Sequence, residues 1–352
     1  MRIILAGTGV HAIPPRGYGG IERTLDELGR ALRAEGAEVT IVNEVRGERS
    51  LDEYRFAWGL PGRLRRVGGD VVHASTPAVA NRLAFAGIPY VYTTHARHWF
   101  VRHGAREWFG HWLERRALAH ASAAVALTER VRAAIALELG AAIPRRCPVI
   151  PIGVDLDRFR ASPIPEGGSL LGVGVVARLK RWEIAAEAAR GTRCKFILVG
   201  PQPDPAYARK LRSIGPHVEL RGELPEAELR AAYAESALLL HPSSVELLPG
   251  VVLQALASGR PVLGGDPLAG LVRPGVTGYL APEGASPREF VDFLRSRIEA
   301  LRRDPGLLNR LGAEARRDAE SRFSWSSVAR AHLALYGELE AGPGTARSPV
   351  PR

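Results

Sequence analysis

Cysteine and methionine are almost absent from this chain: two of the first and one of the second in 352 residues. Cys147 and Cys194 stand far apart with no metal-type spacing. That excludes a disulfide scaffold or zinc module and fits a reduced, cytoplasmic compartment. No apolar run reaches the length that spans a bilayer. The opening MRIILAG lacks the longer apolar stretch of a signal peptide and reads as a buried strand. The dinucleotide pattern G-x-G-x-x-G fails, because Gly7 and Gly9 are followed by Ala12. The histidines from His95 to His111 suit neither H-E-x-x-H nor a Cys/His site, so no metal is expected. Zinc-finger, RNA-recognition and basic-zipper patterns are missing too. Nucleic acid is therefore not the expected partner, despite a net charge of +11 and a pI of about 10.3.

What is present is the composition of a soluble globular protein, 46% hydrophobic and 24% charged. The length exceeds the usual size of one core, so two domains are expected. Ile3 to Ala6 reads as a strand. Ile21, Leu25, Leu28 and Leu32 recur at helical spacing before Gly36. Val39 to Val42, Val71 to His73, Tyr90 to Thr93 and Ala123 to Leu127 continue as strands. After an interruption at residues 149 to 159 the rhythm restarts. Leu171 to Val176, Lys195 to Val199, Val218 to Arg221 and Ala237 to Leu240 read as strands, and Glu226 to Glu235 as a helix. Alternating strands and helices imply an α/β fold with parallel sheets covered on both faces.

The densest signal is HPSSVELLPGVVLQALASGRPV, residues 241 to 262. A polar loop carries a single carboxylate, Glu246. A helix over Val251 to Ser258 would set that loop at a helix N-terminus, whose free N–H groups favour a phosphate. Gln254, one turn in, can point at the same ligand. A carboxylate beside a phosphate site suggests a ligand with both hydroxyls and phosphates. Three other stretches carry candidate chemistry. RGYGGIER holds Gly17, Gly19 and Gly20, where the backbone can approach a ligand closely. VVARLKRWEIAAEA holds Arg178 and Lys180. PYVYTTHARHWF places His95 just past an apolar strand, on the edge where parallel sheets bind ligands.

The segment from 241 to 262 resembles the signature of the retaining GT-B glycosyltransferases of family four. Their pattern runs Pro-Ser, two residues, Glu, seven residues, Glu-Ala, then Gly-x-Pro-Val. Pro242, Ser243, Glu246, Ala255, Gly259, Pro261 and Val262 match, and Gln254 replaces the second Glu. VIPIGVDLDRF resembles the family's interdomain segment, with Gly153, Val154, Asp155 and Phe159 matching and Ile152 in place of Asn. Arg178 and Lys180 match a Gly-Arg-Leu, three residues, Lys-Gly pattern, but Ala177 replaces the Gly and the spacer is missing. FSWSSVARAHLALY resembles the closing segment.

The resemblance covers nearly the whole chain and implies two Rossmann-like domains facing each other across a cleft. Residues 1–152 would form the acceptor domain and 153–322 the nucleotide-sugar domain. A closing helix, 323–341, would return to the N-terminal domain, and 342–352 would be a disordered tail. The implied activity is transfer of a hexose, with retention, to a hydroxyl of a glycan, a lipid-linked acceptor or a small molecule. No metal or other cofactor is implied beyond the nucleotide-sugar, although Asp155-Leu156-Asp157 imitates a metal-binding pair. Glu246 would grip sugar hydroxyls, helped by backbone groups at Leu248, Gly250 and Val251. Arg178 and Lys180 would hold the diphosphate, and Gln254 the ribose. Gly17, Gly19 and Gly20 would form a phosphate or acceptor loop. His95 would lie near the transferred sugar, with His73 a weaker candidate. Two alternatives share these motifs: a nucleotide-sugar epimerase, and a non-catalytic binder of nucleotide-sugar or polysaccharide.

Residues 1 to 163 hold 23 arginines against 16 acidic residues, a net +7. Arg63, Arg65 and Arg66 form one basic knot. Arg97, Trp99, Arg102, Trp108 and Trp112 belong to an Arg- and Trp-rich stretch, with the last two on one helical face. Either this stretch docks on an anionic acceptor or the inner membrane face, or its aromatics are core and its charges a solvated face.

Overall fold

The structure is a computed structural model. It describes residues 1–15, 20–45, 50–95, 104–140 and 144–341, with the side chains of 50, 51 and 104–107 excepted. Gly17, Gly19, Arg97, Trp99, Arg102 and the tail from 342 lie outside the described residues. The chain forms two compact units, Met1–Gly153 with Trp325–Arg352, and Val154–Ser324.

The first unit alternates β1 (Arg2–Ala6), α1 (Gly20–Ala34), β2 (Glu38–Val42), α2 (Ser50–Val67), β3 (Val71–Ala74), α3 (Pro77–Phe85), β4 (Val91–Thr93), α4 (Gly104–Ala119), β5 (Ala123–Val125) and α5 (Glu129–Leu139). The strands are wholly parallel in the order β2-β1-β3-β4-β5. Ile3, Ile4 and Leu5 are buried in succession, as expected where helices cover both sheet faces. Leu25, Leu28 and Leu32 put the apolar stripe of α1 into the same core.

The second unit runs β6 (Ser169–Val173), a 3-10 turn (Arg178–Lys180), α6 (Trp182–Ala189), β7 (Phe196–Val199), α7 (Pro205–Ser213), β8 (Val218–Gly222), α8 (Glu226–Glu235), β9 (Ser236–His241), α9 (Gly250–Ala257), β10 (Val262–Gly264), β11 (Gly278–Leu280), α10 (Pro287–Arg303) and α11 (Pro305–Asp318). Its parallel sheet has the order β11-β10-β9-β6-β7-β8. The winding reverses between β6 and β9, and in the first unit between β1 and β3. Such reversals open a crevice at the carboxyl ends of the strands, the usual ligand position in this architecture.

The strand expected to reach Val176 stops at Val173. Gly174 there takes φ +149, and a Cβ on the facing Gly200 would meet the Gly174 carbonyl at 2.1 Å. The two loops cross too closely for side chains. Asp155-Leu156-Asp157 is a turn rather than a pair of outward carboxylates. Asp155 Oδ1 accepts from the backbone N–H groups of Asp157 and Arg158 at 3.0 and 2.9 Å.

Arg260 is fully buried in the second unit. Its Nε donates to the Tyr233 carbonyl at 2.8 Å. Nη1 donates to Ser162 O at 2.8 Å, and Nη2 to Ser162 Oγ at 2.6 Å and Ala234 O at 2.9 Å. Two of these carbonyls end α8, the negative pole of its dipole, which partly offsets the buried charge.

The last helix, α12 (Trp325–Ala341), belongs to the first unit. Val328, Leu335 and Tyr336 enter the core beside Leu25, Leu28 and Leu32. His73, at the end of β3, bonds Tyr336 Oη through Nδ1 at 2.5 Å and Thr93 Oγ1 through Nε2 at 2.7 Å. The ring of His332 lies 5.5 Å away, and burial pushes that imidazole down to about 4. His73 is likewise held neutral by burial. Its two bonds tie α12 to the sheet, which accounts for this residue structurally.

Candidate active site

β9 is an all-buried strand, Ser-Ala-Leu-Leu-Leu, that ends on His241. The loop after it carries Glu246 to the start of α9. The 3-10 turn after β6 brings Lys180 to the same place, at the reversal point of the sheet. Lys180 Nζ donates to Glu246 Oε1 at 2.5 Å, and His241 Nε2 lies 2.8 Å from the same oxygen. The side chains of Lys180, Glu246 and His241 are 17%, 10% and 1% exposed, so the carboxylate has exchanged most of its water for these two donors. Burial alone would raise the Glu246 carboxyl. The His241 and Lys180 contacts outweigh it and bring the group down to about 2. Glu246, a lone carboxylate in the sequence, is therefore not isolated in space.

The two loops are stitched together. Ser244 Oγ donates to Leu179 O at 3.0 Å, and Arg181 Nε to Pro242 O at 3.0 Å. Arg181 stands at φ +50, which lets a three-residue turn run directly into α6. The missing spacer of the sequence pattern is thus accommodated, with Lys180 still beside Glu246. Arg178 is not brought to them. It is exposed, 3.8 Å from Asp204 and over the ring of Tyr207.

Pro249 occupies the N-cap position of α9 and provides no side-chain cap. The first N–H groups of a helix have no acceptor within it, so this end, with Leu248, Gly250 and Val251, suits an anion. Gln254 is half-buried one turn in. Its side-chain Oε1 lies 3.1 Å from Tyr233 Oη, which is also 2.9 Å from the Val251 carbonyl. A phenol has one proton and a carbonyl can only accept. The phenol proton is therefore shared between the Val251 carbonyl and the Gln254 amide oxygen, whose second lone pair stays available to a ligand.

In the first unit, His95 follows β4, half-buried, and burial pushes its imidazole down to about 4. Gly20 opens α1, and a Cβ there meets nothing within 4 Å among the described residues. Arg63 is paired with Glu44 and lies over Phe56, whereas Arg65 and Arg66 are exposed. Trp108, Phe109 and Trp112 on α4 are 69%, 50% and 44% exposed, which overturns the core alternative for these aromatics. Trp58 and Phe85 are exposed as well, with the Arg82 guanidinium over both rings.

Sequence reasoning missed His241, Tyr233 and Arg260. The signal for His241 was available: a polar residue ending an otherwise apolar strand, five positions before Glu246. It also missed two buried acids, Glu22 beside Thr8 and Glu114 beside Tyr92, which look like surface residues on their helices. Burial raises the Glu114 carboxyl to about 7. Among the described residues no group of three His, Cys, Asp or Glu could hold a metal ion, and no helix is long and apolar enough to cross a membrane.

Residues 18–158 match the family model described as Glycosyltransferase Family 4, and residues 170–299 the one described as Glycosyl transferases group 1. The chain is 31% identical over 264 residues to D-inositol 3-phosphate glycosyltransferase 1 of Catenulispora acidiphila. That stretch covers 64% of this chain but only 62% of the relative. It is 30% identical over 297 residues to D-inositol 3-phosphate glycosyltransferase of Frankia alni, covering 74% and 70% of the two chains. The fold superposes on the structure of Anabaena HepE in complex with UDP-glucose, with a TM-score of 0.71 at 19% identity, over 96% of this chain and 100% of that one.

Proposed function

The chain belongs to family 4 of the glycosyltransferases, which have the GT-B fold, and from that premise we propose that it moves a sugar from a nucleotide-sugar to an acceptor hydroxyl, with retention and without a metal ion. The observation that carries this reading is the group of Lys180, Glu246 and His241 at the sheet reversal of the second unit. Glu246 is ionised and accepts bonds from sugar hydroxyls. Lys180 and the N-terminus of α9 take the diphosphate, with Arg178 swinging in from the surface. Stabilising the departing diphosphate is the main electrostatic demand of the transfer. The Gln254 amide oxygen accepts from ribose. In retention the acceptor hydroxyl attacks from the face that the diphosphate leaves. On the family resemblance the acceptor is assigned to the first unit, where His95 is a neutral imidazole able to accept a hydrogen bond.

UDP is the first nucleotide to test, because the Anabaena structure holds UDP-glucose. Among UDP, GDP, ADP, CMP and dTDP, one is expected to raise the melting temperature, since binding stabilises the folded state by mass action. Transfer is expected to survive exhaustive EDTA. Activity lost to EDTA and restored by Mg²⁺ or Mn²⁺ would refute the metal-free mechanism. Sugar released or epimerised with no need of any acceptor would favour the epimerase instead. Binding without turnover would favour the non-catalytic relative.

The exposed Trp58, Phe85, Trp108 and Trp112 among arginines support a second element of the reading, contact with an anionic bilayer. Cosedimentation with vesicles containing phosphatidylglycerol is expected to fall as salt rises, because exposed charges are screened. Indifference to vesicle charge and to salt would leave only a solvated surface.

A further inference from the structure

We propose that His241 is a positioning residue: it anchors the Glu246 carboxylate and keeps it in place when Lys180 turns to the donor diphosphate. This rests on the reading that Glu246 grips the donor sugar.

The geometry makes the two donors unequal. Both reach Oε1 of Glu246, but they differ in freedom to leave. Lys180 ends a three-residue turn and carries its ammonium on a four-carbon stem. His241 is the last residue of β9, in register with Gly264 of β10, and is 1% exposed. Its ring stands edge-on to Trp182, with centroids 6.0 Å apart. Trp182 is itself pinned by its indole N–H to Val175 O at 2.9 Å. A doubly charged diphosphate competes with one carboxylate for Lys180, and the flexible ammonium can follow it. The imidazole cannot.

Once Lys180 is engaged, Glu246 would be a nearly buried carboxylate with one remaining donor from the protein, His241 Nε2–H, beside the sugar hydroxyls that it grips. A carboxylate only accepts, so the proton of this contact lies on Nε2. Nδ1 is buried and has no partner among the described residues, which leaves Glu246 as the ring's one polar contact. No other charged group among the described residues bonds Glu246. Arg181, the nearest cation in sequence to the pair, is spent on Pro242 O and the ring of Phe290.

The sign of the pH effect follows. Burial raises the Glu246 carboxyl, and His241 and Lys180 lower it. Without His241, and with Lys180 on the diphosphate, no side chain of the protein offsets the raising cause. The carboxylate then takes a proton at higher pH, and the acid limb of the rate profile moves up.

The test uses the full chain with His241→Phe, which keeps a ring against Trp182, and His241→Gln, whose amide N–H can still reach the carboxylate. The Glu246 carboxyl is titrated by ¹³C NMR with and without UDP, and consumption of UDP-glucose is followed against pH. The expected result is an upward shift of Glu246 in the Phe variant, larger with UDP bound, and partial return in the Gln variant. The turnover number should fall by up to about a hundredfold in the Phe variant, with little change in KM, because misplacement of a group costs that much. A Phe variant in which Glu246 titrates as in the native protein overturns the proposal. So does a rate loss that is equal at all pH values and that Gln does not relieve. If the native protein binds no nucleotide at all, the transferase reading fails. The titration without nucleotide then still decides whether His241 holds the carboxylate.

Discussion

Replacing Glu246 by alanine is expected to lower sugar transfer about a thousandfold, or roughly 4 kcal/mol of transition-state stabilisation, while the fold persists. The magnitude follows from two or three charge-assisted bonds to sugar hydroxyls, each contributing about 1.5–3 kcal/mol. Nucleotide binding should behave differently from transfer. In the free protein Lys180 is committed to Glu246 at 2.5 Å. Removing the carboxylate releases the ammonium, so the nucleoside diphosphate alone should bind as well as before or more tightly. Calorimetry with the nucleotide beside a transfer assay checks both halves. A variant with native rates would remove Glu246 from the mechanism. Glu246→Gln should fall between, since the amide keeps one acceptor without the charge.

Arg260→Ala is expected to lower the stability of the second unit by about 4 kcal/mol or more. The loss leaves carbonyls of Tyr233, Ala234 and Ser162 unpaired in the interior, at about 1–3 kcal/mol each when buried. For a unit of this size the melting temperature should drop by roughly 10 °C. Arg260→Lys should recover only part of it, because an ammonium cannot reproduce the planar fork that bonds two separate segments at once. Urea or thermal unfolding of the three proteins measures this. A change below about 1 kcal/mol in the alanine variant would mean that water satisfies these carbonyls.

Much of the fold could be read from residue order, for identifiable reasons. Strands such as Ile3 to Ala6 and Ala237 to Leu240 are apolar on both faces, and glycine or polar residues bound them. The helix from Glu226 to Glu235 falls where the sequence places it. Helices α2, α3, α5, α7, α10 and α11 and the short strands β10 and β11 were not assigned. β10 and β11 each spend one of their three residues on glycine, which weakens a strand pattern, and α2 carries a proline.

The site divides the same way. Glu246 and Gln254 stand out because a short motif surrounds them. The contact of Glu246 with Lys180 spans 66 residues and was indicated only through the family pattern. Tyr233 and Arg260 could not be seen, because their value lies in which backbone carbonyls the fold brings to them. Arg260 even falls on the unspecified position of Gly-x-Pro-Val. A pattern of residue types records what touches a ligand better than what supports it.

The return of α12 to the first unit has a consequence for synthesis on the ribosome. Residues 154–324 form an uninterrupted unit inserted between the two parts of the first, so all of it is synthesised before α12. The unit that begins first must wait, because Val328, Leu335 and Tyr336 are among its core residues and His73 has no Tyr336 to meet until the chain has grown past it. The older part of the chain is therefore outside the ribosome without α12 for as long as the second unit takes to make. The seat of α12 on α1 is then an open apolar surface, available to chaperones or to misassociation during that interval.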